Sequence, residues 1–230
     1  MSKKANLHLF KERITLTDYE MLVKELSDAI DSGTDVLTEL LFGTKTPDLY
    51  SNHGTYKCGQ HNRCAGLSFS EKRNFTEKRL CKCMYYRNTD CPTACDKCGF
   101  QDRFEVVGNY KITDYEVPAF YYGDGVGEID LVISDGETYY ATEVKPYKNN
   151  SETLLRMISE IMTYTEGYPT GTYKKAIAFF EKNRDNGLET DQQLEYESAT
   201  PSLVNLLKKA DITVFRFEEV GHKEYRICKL

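Results

Sequence analysis

At 230 residues the chain has room for one sizeable domain and a small module. Charged residues make up 29% and apolar residues 40%, an ordinary balance for a soluble globular protein, and no apolar run approaches the length that spans a bilayer. The net charge of −6 argues against a uniformly basic, polyanion-coating protein.

Residues 1–15 read as a polar lead-in. Met-Ser-Lys-Lys-Ala-Asn has basic residues but no apolar core behind them, so it is no signal peptide, and a cytoplasmic location is expected. Thr17-Asp-Tyr-Glu20 has the form of a capping box opening a helix. Met21, Leu22, Leu26, Ala29 and Ile30 recur at helical spacing, and Gly33 ends the run. A second helix is expected over Asp35–Phe42, stopped by Gly43.

Residues 44–103 form a cysteine-rich stretch. Seven of the eight cysteines fall there, as Cys58-x5-Cys64, Cys81-x-Cys83 and Cys91-x3-Cys95-x2-Cys98, with His53 and His61 among them. In a cytoplasmic chain that density points to metal rather than disulfides, and zinc takes four sulfur or nitrogen ligands. The expected ligands are Cys58, Cys64, Cys81, Cys83, Cys91, Cys95 and Cys98, with His61 as a further candidate, for one or two zinc ions. An iron–sulfur cluster is the chemical rival. Cys228 stands apart as a plain thiol. Residues 57–87 carry eight Lys or Arg against two acids, a local +6 that leaves −12 for the rest. An acidic body with a basic contact surface follows, and Lys72, Arg73, Lys78, Arg79 and Lys82 are the expected phosphate contacts. Phe69, Phe75, Tyr85 and Tyr86 lie among them, either as stacking partners for bases or as a small core.

From Phe104 the pattern turns to strands, over Phe104–Val107 and Tyr110–Tyr122. Val126–Ile133 and Thr138–Lys145 then flank Ser134-Asp135-Gly136-Glu137, a strong hairpin signal. Period-two alternation puts Glu128 and Asp130 on one face and Glu143 and Lys145 on one face. If the two faces coincide, three carboxylates and an ammonium converge, a cluster that must be paired or hold a cation. A helix capped by Ser151 is expected to about Glu166, with Glu160 and Tyr164 on one flank, one turn from Arg156. Lys174–Phe180 reads as a strand, Glu181–Thr200 as a polar loop, Ser202–Lys209 as a helix opened by Thr200-Pro201, and Ile212–Phe217 and Tyr225–Cys228 as strands.

Asp130, twelve residues, then Glu143-x-Lys145 resembles the signature of the PD-(D/E)XK nuclease superfamily. Gly127-x-x-Asp130 and Glu160-x-x-x-Tyr164 resemble its RecB-like branch, which usually has Gln where this chain has Glu160. The resemblance covers roughly residues 104–217. It implies an α/β, three-layer restriction-endonuclease-like domain with a mixed central sheet. With it goes the division expected here: N-terminal helices of that core over 1–43, the zinc module over 44–103, and the nuclease-like core over 104–230. It also implies a Mg²⁺- or Mn²⁺-dependent deoxyribonuclease. Asp130 and Glu143 would hold the metal, with Glu128 and the Val144 carbonyl as supplements. Lys145 would steady the attacking water, and Glu160 and Tyr164 would orient Lys145 or a phosphate. Such cores often take an acidic residue from the first helix, for which Glu25 and Glu39 are candidates, although both read better as solvated helix charges. Cluster-bearing members place cysteines on both sides of the core; here all seven precede it, which favours zinc. The expected partner is DNA, with RNA open, and no membrane. The rival reading is a zinc-stabilised nucleic-acid-binding or adaptor protein whose nuclease-like domain is inactive.

Overall fold

The computed structural model describes residues 10–15, 17–43, 77–88, 104–120, 127–147, 152–222 and 224–230. A 3₁₀ turn, Phe10–Arg13, leads into helices α1 (Tyr19–Ser32) and α2 (Thr34–Phe42). Helix α3 (Glu77–Asn88) follows, then strands β1 (Glu105–Val107), β2 (Lys111–Pro118), β3 (Glu128–Ser134) and β4 (Tyr139–Lys145). Helix α4 (Leu154–Thr165), β5 (Lys174–Phe180), α5 (Asp191–Glu197), α6 (Pro201–Lys209), β6 (Ile212–Gly221) and β7 (Glu224–Lys229) complete the order.

The strands make one seven-stranded mixed sheet, ordered β1-β7-β6-β5-β4-β3-β2. β2, β3 and β4 form an antiparallel meander. β4, β5 and β6 run parallel, as a helical crossover from β4 to β5 requires. β7 turns back against β6, and β1 pairs parallel to β7 at the edge. The central strands are buried on both faces, so they read as near-continuous apolar runs such as Ala176–Phe180.

Two cores flank the sheet. One gathers Leu22, Leu26, Leu41, Leu155, Ile158, Ile161, Leu203 and Leu206 from α1, α2, α4 and α6. On the other side Leu80, Cys81, Cys83 and Met84 of α3 pack with Tyr115, Leu131 and Ile133 and the aromatic group Phe104, Tyr147, Phe180, Phe217 and Tyr225. The fold is thus α/β, with helices on both faces of a mixed sheet.

Local chemistry explains the boundaries. Asp135 Oδ1 accepts the Thr138 and Glu137 N–H groups at 2.8 and 3.1 Å, closing the hairpin loop, and Gly136 takes φ 100° there. Thr200 caps α6 through the Leu203 N–H, with Pro201 in the first turn. Three expectations are corrected. The Thr17–Glu20 capping box does not form: Asp18 is the cap residue of α1 without a side-chain cap bond, and it accepts instead from Thr15 at 3.2 Å. The cap of α4 is Thr153, which accepts the Arg156 N–H; Ser151 lies outside the described residues. The stretch expected as a polar loop contains α5, capped by Thr190 through the Gln193 N–H. Helix α3 is a further surprise. It falls inside the cysteine-rich stretch, yet it packs on the sheet. Among the described residues no helix is long and apolar enough to cross a membrane.

Candidate active site

The site lies where the β3–β4 ladder ends. The backbone pairing stops at Leu131 and Thr142, and just beyond it the Asp130 side chain takes over: its Oδ2 accepts the Val144 N–H at 2.8 Å. Glu143 and Lys145 alternate with the Thr142 and Val144 side chains, and both are buried. Lys145 Nζ donates to Glu143 Oε1 at 2.7 Å and to Glu77 Oε2 at 2.9 Å, and it lies 2.8 Å from Glu152 Oε2 and 3.6 Å from Glu160 Oε2. Three close carboxylates match the three protons of an ammonium.

One carboxylate oxygen each from Glu77, Asp130 and Glu143 lies within 4.8 Å of the others. A divalent cation with oxygen ligands about 2.0–2.6 Å away fits between oxygens at such separations. Glu143 Oε2 is buried with no hydrogen-bond donor, as is Glu160 Oε2. Five carboxylates (Glu77, Asp130, Glu143, Glu152, Glu160) meet three cations (Lys145, Lys11, Arg156) in this cluster. Two negative charges are left over, and only protons or a cation can offset them in a desolvated place.

The titration directions agree. Burial lifts the Asp130 carboxyl well above the usual range, and the Glu77 charge adds to it. Burial also lifts Glu143, with Asp130 adding, and it lifts Glu77. Glu160 goes the other way. Burial opposes its charge, but the neighbouring Glu143 carboxyl and the charges of Lys145 and Lys11 outweigh it and bring it down to about 2. Burial disfavours the Lys145 ammonium, yet Glu143, Asp130 and Glu77 overcome that and hold its pKa above the ordinary value. Burial raises Tyr164, which keeps its hydroxyl proton.

The flanking shell comes from α4 and the N-terminal turn. Lys11 Nζ donates to Glu160 Oε1 at 3.1 Å and to the Tyr164 hydroxyl at 2.8 Å. Arg156 Nε lies 3.5 Å from the same Glu160 oxygen. Gly127 has φ 141°, and a Cβ there would lie 2.4 Å from the Tyr164 ring and hydroxyl. That close approach is why a glycine stands three residues before Asp130.

The structure therefore brings together Asp130, Glu143, Lys145, Glu160 and Tyr164. Glu128, at the start of β3, is exposed and is not one of the three clustered carboxylates. Glu25 is bound to Arg13 at 2.7 and 2.8 Å on the surface, and Glu39 on α2 is likewise absent from the cluster. The third carboxylate beside Asp130 and Glu143 is that of Glu77, at the first turn of α3. Sequence reading missed Glu77, Lys11 and Glu152, since no spacing links them to Asp130.

In the basic stretch, Lys72 and Arg73 lie outside the described residues, as do the side chains of Lys78 and Arg79; Lys82 is half-buried on α3. Tyr85 packs on Tyr115 with ring centroids 5.0 Å apart, which makes it a core residue rather than a stacking platform; Phe69, Phe75 and the Tyr86 side chain lie outside the described residues. Cys81 and Cys83 are buried thiols within α3. They lie two residues apart on the helix, about 200° around its axis. Cys58, Cys64, Cys91, Cys95, Cys98 and His61 lie outside the described residues.

No family model matches the chain, and no curated protein matches it. Among solved structures it is similar to Pyrococcus furiosus SfsA, determined in complex with Ca²⁺, at 17% identity and a TM-score of 0.25; the match spans about half, 53%, of each chain.

Proposed function

We propose that the protein is a divalent-metal-dependent nuclease of the PD-(D/E)XK type that hydrolyses DNA phosphodiester bonds. The observation that carries this is the convergence of Glu77, Asp130 and Glu143 oxygens within 4.8 Å, beside a buried lysine and an undonated Glu143 oxygen. The sheet order supports it too: an antiparallel meander bearing the acids, a helix, then a strand parallel to β4 matches the order the sequence resemblance implies. Hard carboxylate oxygens suit Mg²⁺ or Mn²⁺. Such an ion would lower the pKa of a bound water and neutralise charge on a phosphate.

The protein's own groups have separable tasks. Asp130 and Glu143 would hold the cation from two adjacent strands, and Glu77 would complete the set from α3. Asp130 is itself fixed by the Val144 N–H. Lys145, held among its three close carboxylates, would supply positive charge next to the reacting phosphate. Glu160 stays ionised and keeps Lys145 within reach, and Tyr164 remains a neutral hydroxyl. The cysteine-rich segment is proposed to bind one or two zinc ions and, with its basic residues, to contribute DNA contacts.

A cleavage time course on plasmid and single-stranded DNA tests the reading, with Mg²⁺, Mn²⁺ or EDTA. Wild type should cut with either metal and stop in EDTA, and Lys145→Ala should be about 10²–10³-fold slower. A folded, zinc-replete protein that cuts no DNA or RNA with either metal would replace it with the inactive binding or adaptor reading.

A further inference from the structure

Lys11 stands outside the motif that suggested the function, yet it is one of the most deeply placed lysines among the described residues, 9% exposed. It enters the site from the 3₁₀ turn Phe10–Arg13. That turn is pinned on several sides. Phe10 is buried in the helical core, Arg13 lies over the Phe10 ring and binds Glu25 through two hydrogen bonds, and an Arg156 guanidinium N–H donates to the Lys11 carbonyl at 3.4 Å. A long, flexible side chain loses much rotamer freedom when so held, and a buried ammonium is stable only when it is paired. Its partners are Glu160 and Tyr164, both on α4. Glu160 in turn presents one oxygen to Lys11, 3.1 Å away, and the other to Lys145, 3.6 Å away.

We propose that Lys11 is a positioning residue for the cation site: through Glu160 it sets the place of Lys145. This rests on reading Glu77, Asp130 and Glu143 as the cation site. The Glu160 carboxylate lies 3.6 Å from Lys145 Nζ. Without its Lys11 partner, it would draw Lys145 towards α4 and away from Glu143 and Glu77. Lys11 neutralises it, so the Lys11–Glu160 pair acts as a strut of no net charge, and Lys145 is left to its three nearer carboxylates. The same pairing anchors residues 10–13 to α4, which ties the N-terminal turn to the geometry of the site.

The electrostatic consequence has a distinctive sign. Replacing Lys11 by methionine removes one positive charge from the cluster, so it should tighten divalent-cation binding even as it loosens the fold. A merely structural lysine would do the opposite, because a loosened site binds less well. The experiment is calorimetric titration of Mn²⁺ into the full chain, together with thermal unfolding, for wild type, Lys11→Met, Lys11→Arg, Glu160→Gln and the double variant. Lys11→Met should bind Mn²⁺ on the order of tenfold tighter and Glu160→Gln on the order of tenfold weaker. Lys11→Arg should stay near wild type. In unfolding, each single charge-removing variant should lower Tm by about 5–10 °C, because it leaves a buried charge unpaired, and the double variant should fall less than the two combined.

Unchanged or weaker Mn²⁺ binding by Lys11→Met overturns the proposal, and so do strictly additive losses of Tm. If Lys11→Met fails to fold, Lys11→Arg and Glu160→Gln decide: wild-type affinity in the first with weakened affinity in the second supports the strut, and any other pattern refutes it. Wild-type protein that binds no Mn²⁺ at all overturns the cation site, while the unfolding cycle still judges the Lys11–Glu160 pair.

Discussion

Glu77→Gln separates what the structure says of the cation site from what the sequence alone suggests. The substitution removes one of three converging carboxylates and one of the three close partners of Lys145. Lys145 keeps Glu143 at 2.7 Å and Glu152 at 2.8 Å, and burial already disfavours the Glu77 charge, so the fold should hardly notice. A Tm change within about 4 °C is expected, the equivalent of roughly 1 kcal/mol. The cation is affected far more. A pair of unit charges about 4 Å apart interacts by roughly 4 kcal/mol at an effective dielectric constant near 20, and a divalent ion doubles that before an amide oxygen or water returns part of it. A net loss of about 3–4 kcal/mol corresponds to Mn²⁺ affinity weakened roughly 10²–10³-fold. Isothermal titration with Mn²⁺ measures it, with Glu25→Gln and Glu39→Gln as controls that should bind like wild type. Wild-type affinity in Glu77→Gln, or weakened affinity in either control, would refute the assignment.

Three other perturbations test separate parts of the structure. Gly127→Ala should lower Tm by about 5–10 °C, since its Cβ would overlap the buried Tyr164 ring; an unchanged Tm would mean the two segments are not in contact. Glu195 accepts from the Tyr19 hydroxyl and from the Leu154 N–H, and burial raises its pKa above the ordinary carboxylate value despite those bonds. Its favourable, protonated state is fully present below the unfolded-chain pKa and is lost as pH rises through the folded value, so Glu195→Gln should gain Tm relative to wild type as pH rises from about 4 to 8; a pH-independent difference would contradict this. Elemental analysis should find zinc retained in Cys81→Ala, whose thiol sits in the core at a cost of about 1 kcal/mol, and lost in Cys95→Ser; zinc lost from Cys81→Ala would return that thiol to the ligand set.

The strands and most helices could be read from the chain because their signals are local. Asp135-Gly136 fixes the hairpin, period-two alternation places Asp130, Glu143 and Lys145, and Thr200-Pro201 announces α6. What escaped depends on tertiary contact. The α3 sequence, EKRLCKCMYYRN, is strongly polar and only weakly amphipathic, and its cysteines suggest metal; it is helical because Leu80, Cys81 and Met84 find the aromatic face of the sheet. Helix α5 is short, and its Gln- and Glu-rich text looks like a loop until Thr190 is seen to cap it. In the site, the hairpin residues were legible, while Glu77, Glu152 and Lys11 arrive from distant segments with no spacing to announce them.

The placement of α3 makes the protein hard to dissect. Its first turn supplies an acidic group to the hairpin, and its apolar face covers Tyr115, Leu131 and Ile133 of the strands that bear the other two. Cutting out the cysteine-rich stretch whole would therefore strip one of the three converging carboxylates and bare an oily sheet surface in a single step. Helix α3 is built into the protein like a keystone rather than appended like a tag, and deletion of the stretch that contains it is a poor way to ask what the cysteines are for.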